Sequence, residues 1–129
     1  MGNFEFSVNA NISNDELNDL YRASWPKHTD SDLTQILEQS LAYICVRQAG
    51  SLVGFVYVAW DGGQHAFLLD TTVHPDVRRQ GLGHELVKRA AAAAKESGCE
   101  WLHVDYEDEL DPFYRGAGFR PTKAGLIHL

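Results

Sequence analysis

The chain has 129 residues, the usual length of one compact domain, so we expect a single domain over residues 1–129. Hydrophobic residues make up 44% and charged residues 22%, which is typical of a folded globular protein and argues against disorder. The net charge of −7 argues against a nucleic-acid partner. The sequence has neither a membrane-length apolar run nor a signal pattern, so we expect a cytoplasmic protein without a membrane partner.

The first half of the chain predicts two helices and a group of strands. Alternating apolar residues indicate a strand over residues 3–9. Ser13 and Glu16 have the spacing of a capping box, which begins a helix that Pro26 ends. Thr29 or Asp30 is expected to cap a second, short helix. Three strands follow, the first two joined as a hairpin: residues 43–47, 52–60 and 66–73.

The second half predicts a long crossover helix, from about Gly81 to Ser97, which Gly98 closes. Its apolar stripe consists of Leu82, Leu86, Ala90, Ala93 and Ala94. A strand over 101–105, a helix over 110–115 and one or two last strands at Phe119 and 126–129 complete the chain. This order, βααβββαβαβ, indicates an α/β fold with a mainly antiparallel first half.

The segment before the long helix has the features of an anion site. Arg78 and Arg79 precede Gly81 and Gly83, which open the helix. Glycines let backbone N–H groups approach an oxyanion, the helix start adds positive potential, and arginines donate charge-assisted hydrogen bonds. The Walker phosphate loop and the dinucleotide fingerprint are excluded, since their lysine and third glycine are absent. On spacing alone, a plain loop with surface arginines remains an alternative.

Two motifs in this order resemble the GNAT N-acetyltransferase superfamily. Arg78, Gly81 and Gly83 match its acyl-CoA signature, (Arg/Gln)-x-x-Gly-x-(Gly/Ala), and residues 113–119 resemble its Phe-Tyr-x-x-x-Gly-Phe. The order of elements from Phe4 to Leu129 is also similar to that fold. The resemblance implies a central mixed, mainly antiparallel sheet with splayed middle strands, flanked by helices. It also implies acetyl-CoA as the acyl donor, bound in the notch between those strands, and no metal.

The resemblance assigns roles to individual residues. The pyrophosphate of acetyl-CoA would meet the loop before the long helix, and the pantetheine arm would pair with the preceding strand. The residues implied for this binding are Thr72, Val73, Arg78, Arg79, Gln80, Gly81, Leu82, Gly83 and His84. Tyr114 matches the family's donor to the leaving thiolate. Because a phenol is a weaker acid than a thiol, we expect a hydrogen bond that strengthens as charge develops. Glu107 stands where many relatives carry Asn, seven residues before that tyrosine.

The base that deprotonates the acceptor is open at this point. Asp70, on the strand that feeds the notch, is the first candidate. Further candidates are Asp105, Glu107, His74, His103 or a water molecule. The acidic run from Asp105 to Asp111 is either a solvated loop or an electrostatic funnel for a cation. Trp25 is either a wall of the acceptor pocket or ordinary packing.

The sequence therefore predicts an acyl-CoA-dependent N-acetyltransferase. We expect it to acetylate a primary amine, on a small cationic molecule, by direct attack in a ternary complex. The alternatives are a non-catalytic acyl-CoA-binding or regulatory module, acetylation of a peptide or protein amine, and an unrelated α/β phosphate binder. A homodimer is left open, because the terminal strands offer free edges. Cys45 and Cys99 are too few for a disulfide framework and are expected to be packing residues.

Overall fold

The computed structural model describes residues 3–129. The helices and strands, in chain order, are β1 (Phe4–Val8), α1 (Asn14–Ser24), α2 (Thr34–Gln39), β2 (Ala42–Gln48), β3 (Ser51–Trp60), β4 (His65–Val73), α3 (Leu82–Glu96), β5 (Trp101–His103) and α4 (Asp111–Gly116). Short 3₁₀ turns cover Pro75–Val77 and Asp108–Leu110. No helix within residues 3–129 combines the length and the apolar character needed to cross a membrane.

The five strands form one sheet in the order β1-β2-β3-β4-β5. The first four pair antiparallel, and β5 pairs parallel to β4 after the α3 crossover. The side chains of α3 pack on one face of the sheet around Val56, Val58 and Leu68. Residues of α1 pack on the other face around Cys45 and Phe55. The predicted mixed, mainly antiparallel sheet between helices is therefore confirmed.

Strands β4 and β5 stay together over a short distance only. Their pairs are His65 with Trp101, Ala66 with Leu102 and Phe67 with His103. Beyond Phe67, β4 continues to Val73, while β5 has already ended at His103. The two chain segments therefore diverge, which leaves a notch beside the carboxyl-terminal half of β4.

The predicted strands at Phe119 and 126–129 are wrong, since residues 117–129 form neither helix nor strand. Leu126 and Ile127 are 81% and 85% exposed. A strand forms only against a partner edge, and the three-residue β5 offers few backbone groups for pairing. Pro121 also lacks an N–H donor. β5 is consequently the edge of the sheet and is shorter than the predicted 101–105.

Two helix predictions also need correction. Helix α2 begins at Thr34 with Leu33 at its N-cap, so neither Thr29 nor Asp30 caps it. The Thr34 N–H bonds the Asp32 carboxylate at 3.0 Å, which supplies a local acceptor closer to the helix. In the stripe of α3, Val87 is buried, whereas Ala93 is half-buried. The capping box of α1 is confirmed, with Ser13 and Glu16 bonded to each other's backbone N–H at 3.1 and 2.7 Å.

Gly54 of β3 occupies a position without room for a side chain. A Cβ there would lie 2.4 Å from Val46 Cγ1 and 3.2 Å from Leu86 Cδ1. We therefore expect Gly54→Ala to lower the free energy of unfolding by about 1–3 kcal/mol, measured by urea denaturation. Gly125→Ala is the matched control, because a Cβ there meets nothing within 4 Å. Equal stability of the two variants would contradict the close packing of β3 on α3.

Candidate active site

A cavity of about 700 Å³ opens in the notch beside β4. It is bounded by the end of β4, the loop into α3, the start of α3 and α4. Nine residues implied by the sequence line it: Thr72, Val73, Arg78, Arg79, Gly81, Leu82, Gly83, His84 and Tyr114. Gln80 and Asp70 do not line it. Its volume falls in the range of small-molecule and cofactor sites.

The loop into α3 is shaped by two left-handed residues. Arg79 has φ +66° and Gly81, the N-cap of α3, has φ +80°. The first N–H groups of a helix have no partner within it, so those of Leu82 to His84 are available to an anion. Gly83 is needed for contact with α4, because a Cβ there would lie 3.0 Å from Phe113 Cε1. The helix start and the aromatic wall of α4 are thus held together.

The side chains of this loop have different surroundings. Arg78 Nε donates to the Val73 carbonyl at 3.1 Å, which holds the guanidinium at the rim of the cavity. The ring of His84 stacks on Phe113 at 4.6 Å, and its Nε2 lies 3.2 Å from the Phe113 carbonyl. The His84 side chain therefore links α3 to α4, and its backbone N–H, in the first turn of α3, has no acceptor within the helix.

Tyr114 projects from α4 toward β4. It is 7% exposed, and its hydroxyl donates to Thr71 Oγ1 at 3.4 Å. Its ring stacks on Tyr106 at 4.7 Å and meets Phe113 edge-on at 4.8 Å. Packing on both sides leaves the hydroxyl little freedom, so it is aimed at the cavity edge where β4 ends.

Asp70 lies beside the cavity, at a β-bulge. Val56 of β3 faces both Asp70 and Thr71, since Phe55 pairs with Thr72 and Tyr57 with Leu69. Asp70 is half-buried and accepts a hydrogen bond from the Tyr21 hydroxyl at 3.2 Å. Burial raises the pKa of the Asp70 carboxyl, and the Tyr21 hydrogen bond lowers it in part.

Like Asp70, the other candidate bases lie outside the cavity lining. His74 Nδ1 accepts from the Asp76 N–H at 3.1 Å, and His103 Nε2 lies 2.8 Å from His65 Nδ1. Asp105 and Glu107 are exposed. None of these groups is as close to Thr71 along the chain as Asp70, its direct neighbour on β4.

The acidic run divides into two parts. Asp111 is occupied within α4, where it accepts from the Tyr106 hydroxyl at 2.8 Å and from Arg115 Nε at 2.6 Å. These bonds hold its pKa below the usual range. The remaining carboxylates are exposed: Asp105, Glu107, Asp108 and Glu109. They form a negative surface just before α4.

Five lining residues were assigned no role from the sequence: Ser24, Thr71, Val77, Leu110 and Phe113. Trp25 also lines the cavity, and its ring centroid lies 4.3 Å from that of Tyr21. Ser24 Oγ is buried without a hydrogen-bond partner in the described structure, so a ligand in the cavity could satisfy it. Only the position of Phe113 within the second motif hinted at a site role.

Residues 3–129 contain no group of three or more His, Cys, Asp or Glu side chains arranged to hold a metal ion. What the cavity lining does provide is the start of a helix, with Arg78 and Arg79 beside it, and the phenolic hydroxyl of Tyr114. The Asp70 carboxylate lies next to the lining residue Thr71. This arrangement suits a long anionic ligand whose reactive end lies near Thr71 and Tyr114.

Comparison with known proteins identifies the fold and the family. A GNAT-family acetyltransferase from Streptococcus pneumoniae TIGR4 superposes with a TM-score of 0.84 and 26% identity, over 98% of this chain and 97% of that one. An aminoglycoside N-acetyltransferase, solved with CoA, superposes with a TM-score of 0.78 at 18% identity, over 100% and 95% of the two chains.

Sequence comparison leads to the same family. A thialysine N-epsilon-acetyltransferase from Sus scrofa is 30% identical over 69 residues, which are 51% of this chain and 40% of that protein. The chain thus spans less than half the length of this curated relative. The profile of the Acetyltransferase (GNAT) family matches residues 12–119, which include the loop into α3 and all of α4. The chain therefore belongs to the GNAT acetyltransferase family.

Proposed function

We propose that this protein transfers an acetyl group from acetyl-CoA to a primary amine on a small cationic molecule. One observation carries the proposal: the cavity joins the start of α3, with Arg78 and Arg79, to the Tyr114 hydroxyl. The first part suits a pyrophosphate, and the second suits a thioester whose sulfur gains charge as it leaves. The CoA-bound aminoglycoside enzyme of the same fold supports the choice of donor.

The residues present fit the proposed donor. Gly81 leaves its side of the loop open, because a Cβ there would meet nothing within 4 Å and no side chain covers it. Arg78 is held at the rim by its bond to the Val73 carbonyl. When bound, acetyl-CoA would supply the thioester carbon that the amine attacks. The protein's own groups bind the phosphates, orient the thioester and handle the protons.

The reaction needs a group that takes a proton from the amine and a group that stabilises the leaving thiolate, and we assign these roles to different residues. An alkyl ammonium has a pKa of about 10 and must lose a proton before it can attack. We assign this proton to the Asp70 carboxylate, which is half-buried beside Thr71. The amine nitrogen then forms the C–N bond while the C–S bond breaks. The Tyr114 hydroxyl donates a hydrogen bond to the sulfur that leaves as a thiolate.

A cationic acceptor suits the charges around the notch. Asp105, Glu107, Asp108 and Glu109 are exposed on the approach to α4 and attract cations over a Debye length of about 8–10 Å. The porcine relative is named for acetylation of a lysine analogue, and the aminoglycoside enzyme for acetylation of an amino sugar. Both names describe amines on small molecules, which supports the same class of acceptor here.

The proposal is tested by measuring CoA release from acetyl-CoA with a panel of lysine analogues, polyamines, amino sugars and amino-terminal peptides. We expect turnover with at least one small cationic amine. Turnover with peptides alone would overturn the small-molecule acceptor. Stabilisation by CoA without turnover of any amine would indicate a binding module instead.

Asp70→Asn is expected to lower kcat/KM at neutral pH on the order of 10²-fold, because an amide cannot take the proton. The wild-type kcat/KM should fall as the pH is lowered through the raised pKa of Asp70. This acid limb of the pH profile should be absent from the variant. Asp32→Asn is the matched control, since Asp32 is exposed at the start of α2. Equal rates for Asp70→Asn and wild type would remove Asp70 from the reaction.

A further inference from the structure

Tyr21 and Asp70 form a contact that the cavity lining does not include. Tyr21 is 4% exposed in α1, and its hydroxyl donates to Asp70 Oδ2 at 3.2 Å. The two residues are 49 positions apart, so the contact exists only because α1 packs on the face of β4. We assign the other carboxylate oxygen of Asp70, Oδ1, to the acceptor amine.

The backbone at Asp70 directs its side chain to this contact. Asp70 has φ +57°, a left-handed conformation that is uncommon for residues other than glycine. It lies within β4, where a bulge re-aims side chains. Thr72 Oγ1 donates to the Asp70 carbonyl at 2.7 Å and braces the bulge. Thr71, the next residue, accepts from Tyr114, so the bulge places contacts to α1 and α4 side by side.

The Tyr21 ring is held by aromatic neighbours. Its centroid lies 4.3 Å from that of Trp25, 5.4 Å from that of His28 and 6.1 Å from that of Phe55. The hydroxyl therefore has a fixed position relative to β4. Trp25 also lines the cavity, which connects this aromatic group to the ligand site.

The titratable groups around the pair come from three elements. Tyr57 of β3 lies near Asp70. Burial raises the pKa of the Tyr57 hydroxyl, and the negative charge of Asp70 raises it further. His28, in the loop between α1 and α2, has Nε2 2.9 Å from Asn18 Oδ1 and 3.8 Å from Asp30 Oδ1. Tyr114 of α4 reaches the neighbouring Thr71. Tyr21 is the side-chain donor that the structure gives to Asp70.

We propose that Tyr21 is a positioning residue, which aims the Asp70 carboxylate at the acceptor amine. As a hydrogen-bond donor to that carboxylate, it also favours the ionised form. This inference rests on the proposed function. In the step it serves, an N–H bond of the ammonium breaks and an O–H bond forms at Asp70 Oδ1. The neutral amine keeps the electron pair with which it attacks, and the proton later passes to solvent from the half-exposed carboxyl. Tyr21 keeps its own proton throughout.

The test compares the pH dependence of kcat/KM for wild type, Tyr21→Phe and Tyr43→Phe. Tyr21→Phe keeps the ring and removes the hydroxyl, so its acid limb should move up by about one pH unit. Tyr43→Phe is the matched control, because its hydroxyl donates to the Ala10 carbonyl at 2.8 Å and its ring also packs near Phe55. Its acid limb should coincide with that of wild type.

A second measurement separates this inference from the proposed function. The Asp70 carboxyl can be titrated by carbon-13 NMR in wild type and Tyr21→Phe without any acceptor. An upward shift in the variant supports the role of Tyr21 in ionisation, and coincident curves overturn it. An unshifted acid limb in Tyr21→Phe, with the limb lost in Asp70→Asn, overturns the inference alone. Absence of turnover with every amine overturns the proposed function and, with it, the catalytic part of the inference.

Discussion

Gly81→Val is expected to raise the Kd for CoA by roughly 10- to 100-fold, since each hydrogen bond to a charged group contributes about 1.5–3 kcal/mol. Gly81 is the N-cap of α3 and has φ +80°. A valine there strains the backbone and places methyl groups on the side of the loop that Gly81 leaves open. Both effects move N–H groups of the helix start away from the phosphates. Isothermal titration with CoA measures the loss.

Gly62→Val separates loss of binding from loss of stability. Gly62 also has φ +80°, and a Cβ there likewise meets nothing within 4 Å. The strain of a β-branched residue in this conformation, about 1–3 kcal/mol, should therefore lower the stability of both variants alike. Only Gly81→Val should lose affinity for CoA. Equal affinities in the two variants would remove the start of α3 from the donor site.

Tyr114→Phe is expected to lower kcat by on the order of 10²-fold, because the thiolate leaves without its hydrogen-bond donor. The hydroxyl lies 3.4 Å from Thr71 Oγ1, and both residues line the cavity. The KM for acetyl-CoA should change by less than about threefold, since the contact gains strength mainly in the transition state. Steady-state kinetics with a saturating acceptor measures both constants.

Tyr106→Phe is the matched control for this variant. The Tyr106 ring stacks on Tyr114 at 4.7 Å, but its hydroxyl donates to Asp111 at 2.8 Å. Its removal should therefore leave kcat within about threefold of wild type. If both variants lose activity equally, the aromatic packing around α4 is the cause and Tyr114 is not the donor.

Elements with a local signal were predicted well from the sequence. The capping box of α1 and the hairpin of β2 and β3 both depend on residues close together in the chain. The two motifs around Gly81 and Tyr114 located most of the cavity lining. The predicted last strands do not form, because the edge against which they would pair, β5, is only three residues long. No local pattern in the sequence reveals that length.

The site itself was predicted in part. The acyl-CoA motif pointed to the loop and the start of α3, yet Gln80 lies outside the cavity lining. Asp70 was singled out by its strand alone, whereas its bulge and its bond to Tyr21 come from the fold. Ser24 lines the cavity because α1 packs against the sheet, and no motif marks it.

The sequence by itself determined the family resemblance, the main helices and strands, and the glycine-containing loop before α3, because glycines, caps and apolar periodicity act over a few residues. The tertiary structure decided where β4 and β5 separate, which way Asp70 points and which aromatic side chains surround it. These features depend on contacts between distant segments, such as Tyr21 with Asp70 and Tyr114 with Thr71. Packing of both helical layers on one sheet brings such residues together, and that packing has no signature in any short stretch of chain.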